Sequence, residues 1–137
     1  MGLAAKAQIP PRTNSVRILI ADDSPLVRKS IRHLLESTPG WEVCGEAANG
    51  QEALDNAMKL NPDIIVLDLV MPVMDGLQAA RKMAVIAPRT PTVMLTMHYS
   101  SQLASEASQA GIQSVLSKSE SHALISTIEN LLRNRTN

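Results

Sequence analysis

The apolar positions of this chain gather in five short runs with longer mixed segments between them. VRILIA (Val16 to Ala21), WEVCGEAA (Trp41 to Ala48), DIIVLDLV (Asp63 to Val70), TPTVMLTM (Thr90 to Met97) and IQSVLSK (Ile112 to Lys118) read as strands. Ile18-Leu19-Ile20 and Ile64-Ile65-Val66-Leu67 are continuous rather than alternating. Strands covered on both faces, as in parallel sheets, show that pattern.

The segments between them carry helical periods. Ser24-Pro25 is a good N-cap and first-turn pair, and Val27, Ile31, Leu34 and Leu35 mark a stripe that Pro39-Gly40 ends. Asn49 caps a second helix, with Ala53, Leu54, Ala57 and Met58 expected inward and Asn61-Pro62 as the stop. Gly76 opens a third, with Leu77, Ala80, Met83 and Ala84 expected inward before Pro88. Ser100 to Ala110 has only Leu103 and small residues to bury, so it is the weakest, stopped by Gly111. Glu120 to Arg133 carries Leu124, Ile125, Ile128, Leu131 and Leu132.

Strand and helix therefore alternate five times. Short connections leave right-handed crossovers and a parallel sheet with helices on both faces. The expected fold is α/β: a flavodoxin-like, doubly wound (βα)5 sandwich with strand order 2-1-3-4-5. Its ligand site lies at the carboxyl ends of the strands.

The residues at those ends are a specific set. The first strand ends in Asp22-Asp23, the third in Asp68, the fourth in Thr96 and the fifth in Lys118. Three carboxylates in one pocket call for a cation, and oxygen ligands alone select a hard one such as Mg²⁺. Lys118 suits a phosphoryl group and Thr96 a second phosphate oxygen. Asp68 is left as a nucleophile that accepts a phosphoryl group.

Composition narrows the setting. The 137 residues suit one domain, and 13 Lys and Arg balance 13 Asp and Glu, so no basic excess points to nucleic acid or an anionic membrane. No apolar run approaches the roughly 20 residues that span a bilayer. A lone cysteine, Cys44, excludes an internal disulfide and fits the cytosol. Pro10 and Pro11 mark residues 1–15 as a mobile tail; the domain is expected over 16–133, and 134–137 as a C-terminal tail or truncated linker.

ILIADDSP, VLDLVMPVMDG, VMLTMH and VLSKSE together resemble the receiver domain of bacterial two-component response regulators, from about Val16 to Leu132. The LTMH and LSKSE variants look most like the nitrate-regulator branch, whose members usually carry a DNA-binding domain after the receiver. The resemblance implies that Asp68 is the phosphoacceptor. It implies that Asp23 and Asp68 bind Mg²⁺ directly, Asp22 through water, and Val70 by its backbone carbonyl. Thr96 and Lys118 would bind phosphoryl oxygens. The implied donor is a phosphohistidine on a sensor histidine kinase, or a small acyl phosphate. An output domain or effector protein, and a homodimer, are the other implied partners.

The sequence departs from that family at two places. Val115 stands where an aromatic is usual, three residues before Lys118, and Ser119 stands where proline is common. A trans peptide is expected there. Tyr99 reads as a surface-loop residue, His33 and His122 as solvated, Cys44 as a small core residue, and Asp75, in an Asp-Gly turn signal, as structural rather than chemical. Competing functions are weighed by the same residues. A phosphatase of the haloacid-dehalogenase type needs a second Asp two residues after the nucleophile, where Val70 stands. The regulatory part of a DNA-binding transcription regulator remains the alternative, although this chain alone has no recognition helix for specific DNA binding. A degenerate receiver used only as a binding surface ranks low, because all five site residues are present, with Val115 the one feature in its favour.

Overall fold

The computed structural model describes residues 15–135. The expected N-terminal tail, apart from Ser15, lies outside the described residues, as do Thr136 and Asn137. The elements are β1 (Val16–Ala21), α1 (Pro25–Glu36), β2 (Trp41–Ala47), α2 (Gly50–Leu60), β3 (Ile64–Leu67), α3 (Gly76–Ile86), β4 (Thr92–Thr96), α4 (Ser101–Gln109), β5 (Ser114–Ser117) and α5 (Leu124–Arg135). A 3-10 segment, Lys118–Ala123, joins β5 to α5. The five strands pair in parallel in the order β2-β1-β3-β4-β5, as expected.

The sheet's alternation sorts the core into two layers. Leu19, Leu67 and Met94 face Ala53, Ala57, Ala79, Met83 and Leu103 on one side. Ile18, Ile20, Val66 and Val93 face Ile31, Leu35, Leu124 and Ile128 on the other. Thus α2, α3 and α4 cover one face, and α1 and α5 the other. The continuous apolar runs of β1 and β3 follow from this double cover.

Local signals act as the sequence suggests. The side chains of Ser24, Asn49, Asp75 and Ser100 each accept a backbone N–H at the first turn of α1, α2, α3 and α4. Asp75 and Gln78 form a reciprocal capping box, so Asp75 serves structure, as expected. α4 buries only Leu103 and Ala107. At about 1.5–3 kcal/mol for a fully buried aliphatic side chain, it is anchored more weakly than α5, with Leu124 and Ile128.

Four expectations change. The third, fourth and fifth strands are shorter than their apolar runs, because the flanking residues belong to turns and site loops. Met58 is 63% exposed, and Ala84 is exposed while Ala79 is buried, so the inward stripes are rotated from the simplest reading. The last helix begins at Leu124, after Glu120 leaves helical angles, and runs to Arg135, past the expected end at Arg133. Cys44 is only half-buried. It is the extra residue of a bulge, since Ile18 pairs with Val43 while Leu19 pairs with Gly45. Burial pushes its thiol pKa up, which keeps it a poor nucleophile.

Candidate functional site

The parallel sheet brings three strand ends together at one edge. β1 runs into Asp22 and Asp23, β3 into Asp68, and β5 into Lys118. The Asp68 N–H donates to the Ala21 carbonyl at 2.9 Å, and the Asp22 N–H to the Ala47 carbonyl at 3.0 Å. These bonds extend the sheet's pairing past its formal ends and set the carboxylates side by side.

Oxygens of Asp22, Asp23 and Asp68 all lie within 4.8 Å of one another. The pair that looked anomalous in sequence divides the work. Asp22 is buried and fully engaged: Oδ1 accepts the Ser24 N–H at 2.9 Å, and Oδ2 accepts from Lys118 Nζ at 2.6 Å. Asp23 is exposed, and among the described residues its carboxylate has no hydrogen bond or ion pair. It is the one carboxylate of the three left without a protein partner among the described residues. The formal balance of three carboxylates against one ammonium is −2, a charge that suits a divalent cation.

Asp68 is buried, with Oδ1 accepting the Leu69 N–H at 2.8 Å and Oδ2 3.4 Å from Lys118 Nζ. Burial, then the neighbouring Asp22 charge, raises its carboxyl pKa despite Lys118. Burial pushes the Lys118 ammonium down, but its hydrogen bond to Asp22 and the charge of Asp68 outweigh that and hold its pKa raised.

Thr96 is fully buried at the end of β4, beside Ser117 in register, one residue before Lys118. Its Oγ1 accepts the His98 N–H at 3.0 Å, which leaves its proton free to donate elsewhere. Val70 lies on the loop after Asp68 and is 54% exposed. Val115 packs against the core, so this chain has no aromatic side chain there to swing. Tyr99 is exposed, and the Lys118–Ser119 peptide is trans, both as expected.

The loop after Asp68 is held by two glycines. A Cβ on Gly76 would run into the Asp68 carbonyl oxygen, and one on Gly50 into the Met74 carbonyl oxygen. The Gly50 N–H donates to that Met74 carbonyl at 3.0 Å, and the Gly76 N–H to the Leu69 carbonyl at 2.8 Å. Between them Val73 sits at φ +70°, a left-handed conformation that costs a non-glycine residue roughly 1–3 kcal/mol. The Met74 N–H donates to the Pro72 carbonyl across it.

Sequence reasoning missed one group. Arg28 Nη1 donates to the Asp22 carbonyl at 2.7 Å, while its Nε donates to Glu46 at 2.8 Å. Arg32 grips the other Glu46 oxygen, also at 2.8 Å. Burial pushes the Glu46 carboxyl up, but the two guanidiniums outweigh it and hold its pKa lowered. The i,i+4 spacing of Arg28 and Arg32 was visible, but their shared partner on β2 was not.

Comparison with known proteins agrees with this geometry. The model of the response regulator receiver domain matches residues 18–129. A protein-glutamate methylesterase/protein-glutamine glutaminase of Methanosarcina mazei is 44% identical over 117 residues, 83% of this chain and 32% of that protein. The chain thus spans about a third of that relative's length. A LuxR-family response regulator from Aurantimonas sp. SI85-9A1 superposes with a TM-score of 0.85 at 35% identity, covering 88% of this chain and 87% of the other. The NarL signal receiver domain of Mycobacterium tuberculosis does so at 0.83 and 27% identity, covering 88% and 98%. Methylesterase and LuxR-type proteins both figure, so the likeness reaches the receiver family rather than the nitrate-regulator branch within it. With the sheet order, the acid cluster and the matched length in agreement, this chain belongs to the response regulator receiver domain family.

Proposed function

We propose that this domain is a phosphorylation switch that accepts a phosphoryl group on Asp68. One observation carries the reading: Asp22, Asp23 and Asp68 converge beside Lys118 at the carboxyl edge of the sheet. A carboxylate oxygen of Asp68 attacks phosphorus in line. The new O–P bond forms as the donor's P–N or P–O bond breaks, and the donor leaves with the electron pair. The donor is a phosphohistidine on a sensor kinase, or a small acyl phosphate.

Each side chain has a part in that transfer. Lys118 neutralises charge on the phosphoryl oxygens, and the Thr96 hydroxyl donates to one of them. Asp23, Asp68 and the Val70 carbonyl would hold Mg²⁺, with Asp22 acting through water, since Asp22 is already bonded to Lys118. When bound, Mg²⁺ offsets the excess negative charge of the pocket and of the transferring group. Val70 is apolar and offers no group to orient an attacking water, which favours a slow loss of the phosphoryl group. The cytosol, as compartment, is part of the same proposal.

The test is intact-mass measurement after incubation with acetyl phosphate and Mg²⁺. The expected result is one phosphoryl adduct, absent in Asp68→Ala and in a chelated control. An adduct that survives Asp68→Ala, or none in the folded wild type, would sink the reading.

A second reading concerns context. The fraction of the Methanosarcina mazei methylesterase that this chain spans, and the LuxR-family structural neighbour, favour a regulatory part of a longer protein. Its output would then be an attached effector or DNA-binding domain. An immunoblot of native cells with antibody to this domain discriminates the two. A band far heavier than the 14.8 kDa of this chain supports the longer protein.

A further inference from the structure

The proposed phosphoryl chemistry leaves the face built by α2 and α3 unused. Two depressions of about 410 and 420 Å³ run along it and share Met58 and Ile86. A third, of about 270 Å³, shares Arg81 and Lys82 with the first and reaches Val73 on the loop after Asp68. Together they make one trough along the length of α3. An 11-residue helix sets that length at roughly 16 Å, about three turns of a docked helix.

The floor of the trough is apolar and open. Met58 is 63% exposed, Val85 79% and Ile86 42%, beside Leu54. Exposed apolar side chains that lie together across two helices, rimmed by polar ones, mark interaction surfaces. The rim is cationic. Arg81, Lys82 and Arg89 line these depressions, and none makes a hydrogen bond or ion pair among the described residues. α3 carries no acid of its own. The acids of α2 are turned to other work: Glu52 accepts the Ala48 N–H, and Asp55 accepts from the Gln51 amide.

That combination selects the occupant. A second copy of this chain docking by the same face would bring one cationic rim, with no acid on α3, up to another, which like-charge repulsion opposes. An amphipathic helix with an acidic rim satisfies both floor and rim. We propose that the α2–α3 trough docks an acidic amphipathic helix of a partner protein. Apolar side chains at i, i+3 or i+4 and i+7 enter between Met58 and Val85, and flanking carboxylates meet Arg81, Lys82 and Arg89. The inference stands apart from the phosphoryl reading, because no residue of the acid cluster takes part.

The experiment titrates the ¹⁵N-labelled domain with two synthetic helical peptides of roughly 14 residues. They share one leucine and isoleucine face and differ only in the rim, glutamate in one and lysine in the other. The glutamate peptide is expected to shift amide signals of α2 and α3, and to bind at least about tenfold tighter than the lysine peptide. Val85→Glu should weaken it by about tenfold, while Arg81→Glu with Lys82→Glu should reverse the preference between peptides. All three positions are exposed, so an unchanged melting temperature verifies the fold. Equal binding of the two peptides, shifts centred on another face, or no binding by the glutamate peptide overturns the proposal.

Discussion

Lys118 Nζ stands 2.6 Å from Asp22 Oδ2 and 3.4 Å from Asp68 Oδ2, so the ammonium is tethered to Asp22 rather than to the proposed phosphoacceptor. The tether holds the charge in place while leaving the Asp68 oxygen loosely engaged. On the proposed chemistry, an arriving phosphoryl group would meet a cation that is already positioned.

Removing that cation should be costly to the fold. Lys118→Ala leaves Asp22, 2% exposed, without its counter-charge. Breaking a buried pair from one side costs about 3 kcal/mol or more. The expected outcome in urea denaturation is a loss of that order, with part regained in millimolar Mg²⁺. In the wild type, the raised Lys118 pKa contributes stability that is complete below the ordinary lysine value and is lost as pH rises through the higher folded value. Melts in alkaline buffer should therefore show wild type converging on Lys118→Ala.

Asp68 should behave in the opposite sense. Its pKa is raised in the folded state, so the folded protein binds more protons than the unfolded chain above the ordinary aspartate value. Stability then falls as pH rises through that range, and the carboxylate destabilises the metal-free fold at neutral pH. Asp68→Asn should raise the melting temperature at pH 7 by a few degrees, on the order of 1 kcal/mol. The gain should vanish below the carboxylate range, and Mg²⁺ should narrow it by stabilising the wild type alone. Scanning calorimetry across pH checks the sign.

Arg28 should matter to the acid pair more than to the fold. Its guanidinium holds the Asp22 carbonyl at 2.7 Å while Glu46 fixes its other side. Arg28→Ala is expected to cost about 1–2 kcal/mol of stability, and to weaken Mg²⁺ binding by about fivefold because Asp23 loses its orientation. Arg28→Lys should restore the charge but not the fork, and so recover less metal affinity than stability. Equal metal affinity in wild type and Arg28→Ala would remove Arg28 from the site.

α4 should be the first helix to open. With only Leu103 and Ala107 buried, its amides are expected to exchange faster than those of α5. A phosphoryl analogue bound at Asp68 should change protection in α4 and at His98, whose N–H donates to Thr96. Identical exchange with and without the analogue would refute the coupling.

Much of this was legible in the sequence. Continuous apolar runs gave away the double cover of β1 and β3, and the capping residues Ser24 and Asn49 marked where α1 and α2 begin. Once a parallel sheet in the order 2-1-3-4-5 was inferred, Asp22, Asp23, Asp68, Thr96 and Lys118 all fell at its carboxyl edge, and the three acids and Lys118 meet there. What stayed hidden depends on pairings across distant elements. Glu46 looked like one polar residue among many in β2, and only the packing of α1 makes it the anchor of Arg28 and Arg32. The bulge that displaces Cys44 follows from the pairing of β2 with β1, which composition cannot register. Met58 shares the period of Leu54 but lies open to solvent rather than in the core, since periodicity fixes a face and not its depth.

Gly76 and Gly50 have a consequence for where information can travel. With no space for a single carbon between α3 and the Asp68 carbonyl, nor between α2 and the loop at Met74, the loop after Asp68 is clamped at both of its ends. Asp68 is an anvil. If Asp68 takes the phosphoryl group as proposed, a rigid loop on that side leaves the ends of β4 and β5, with Thr96 and Lys118, as the parts that respond.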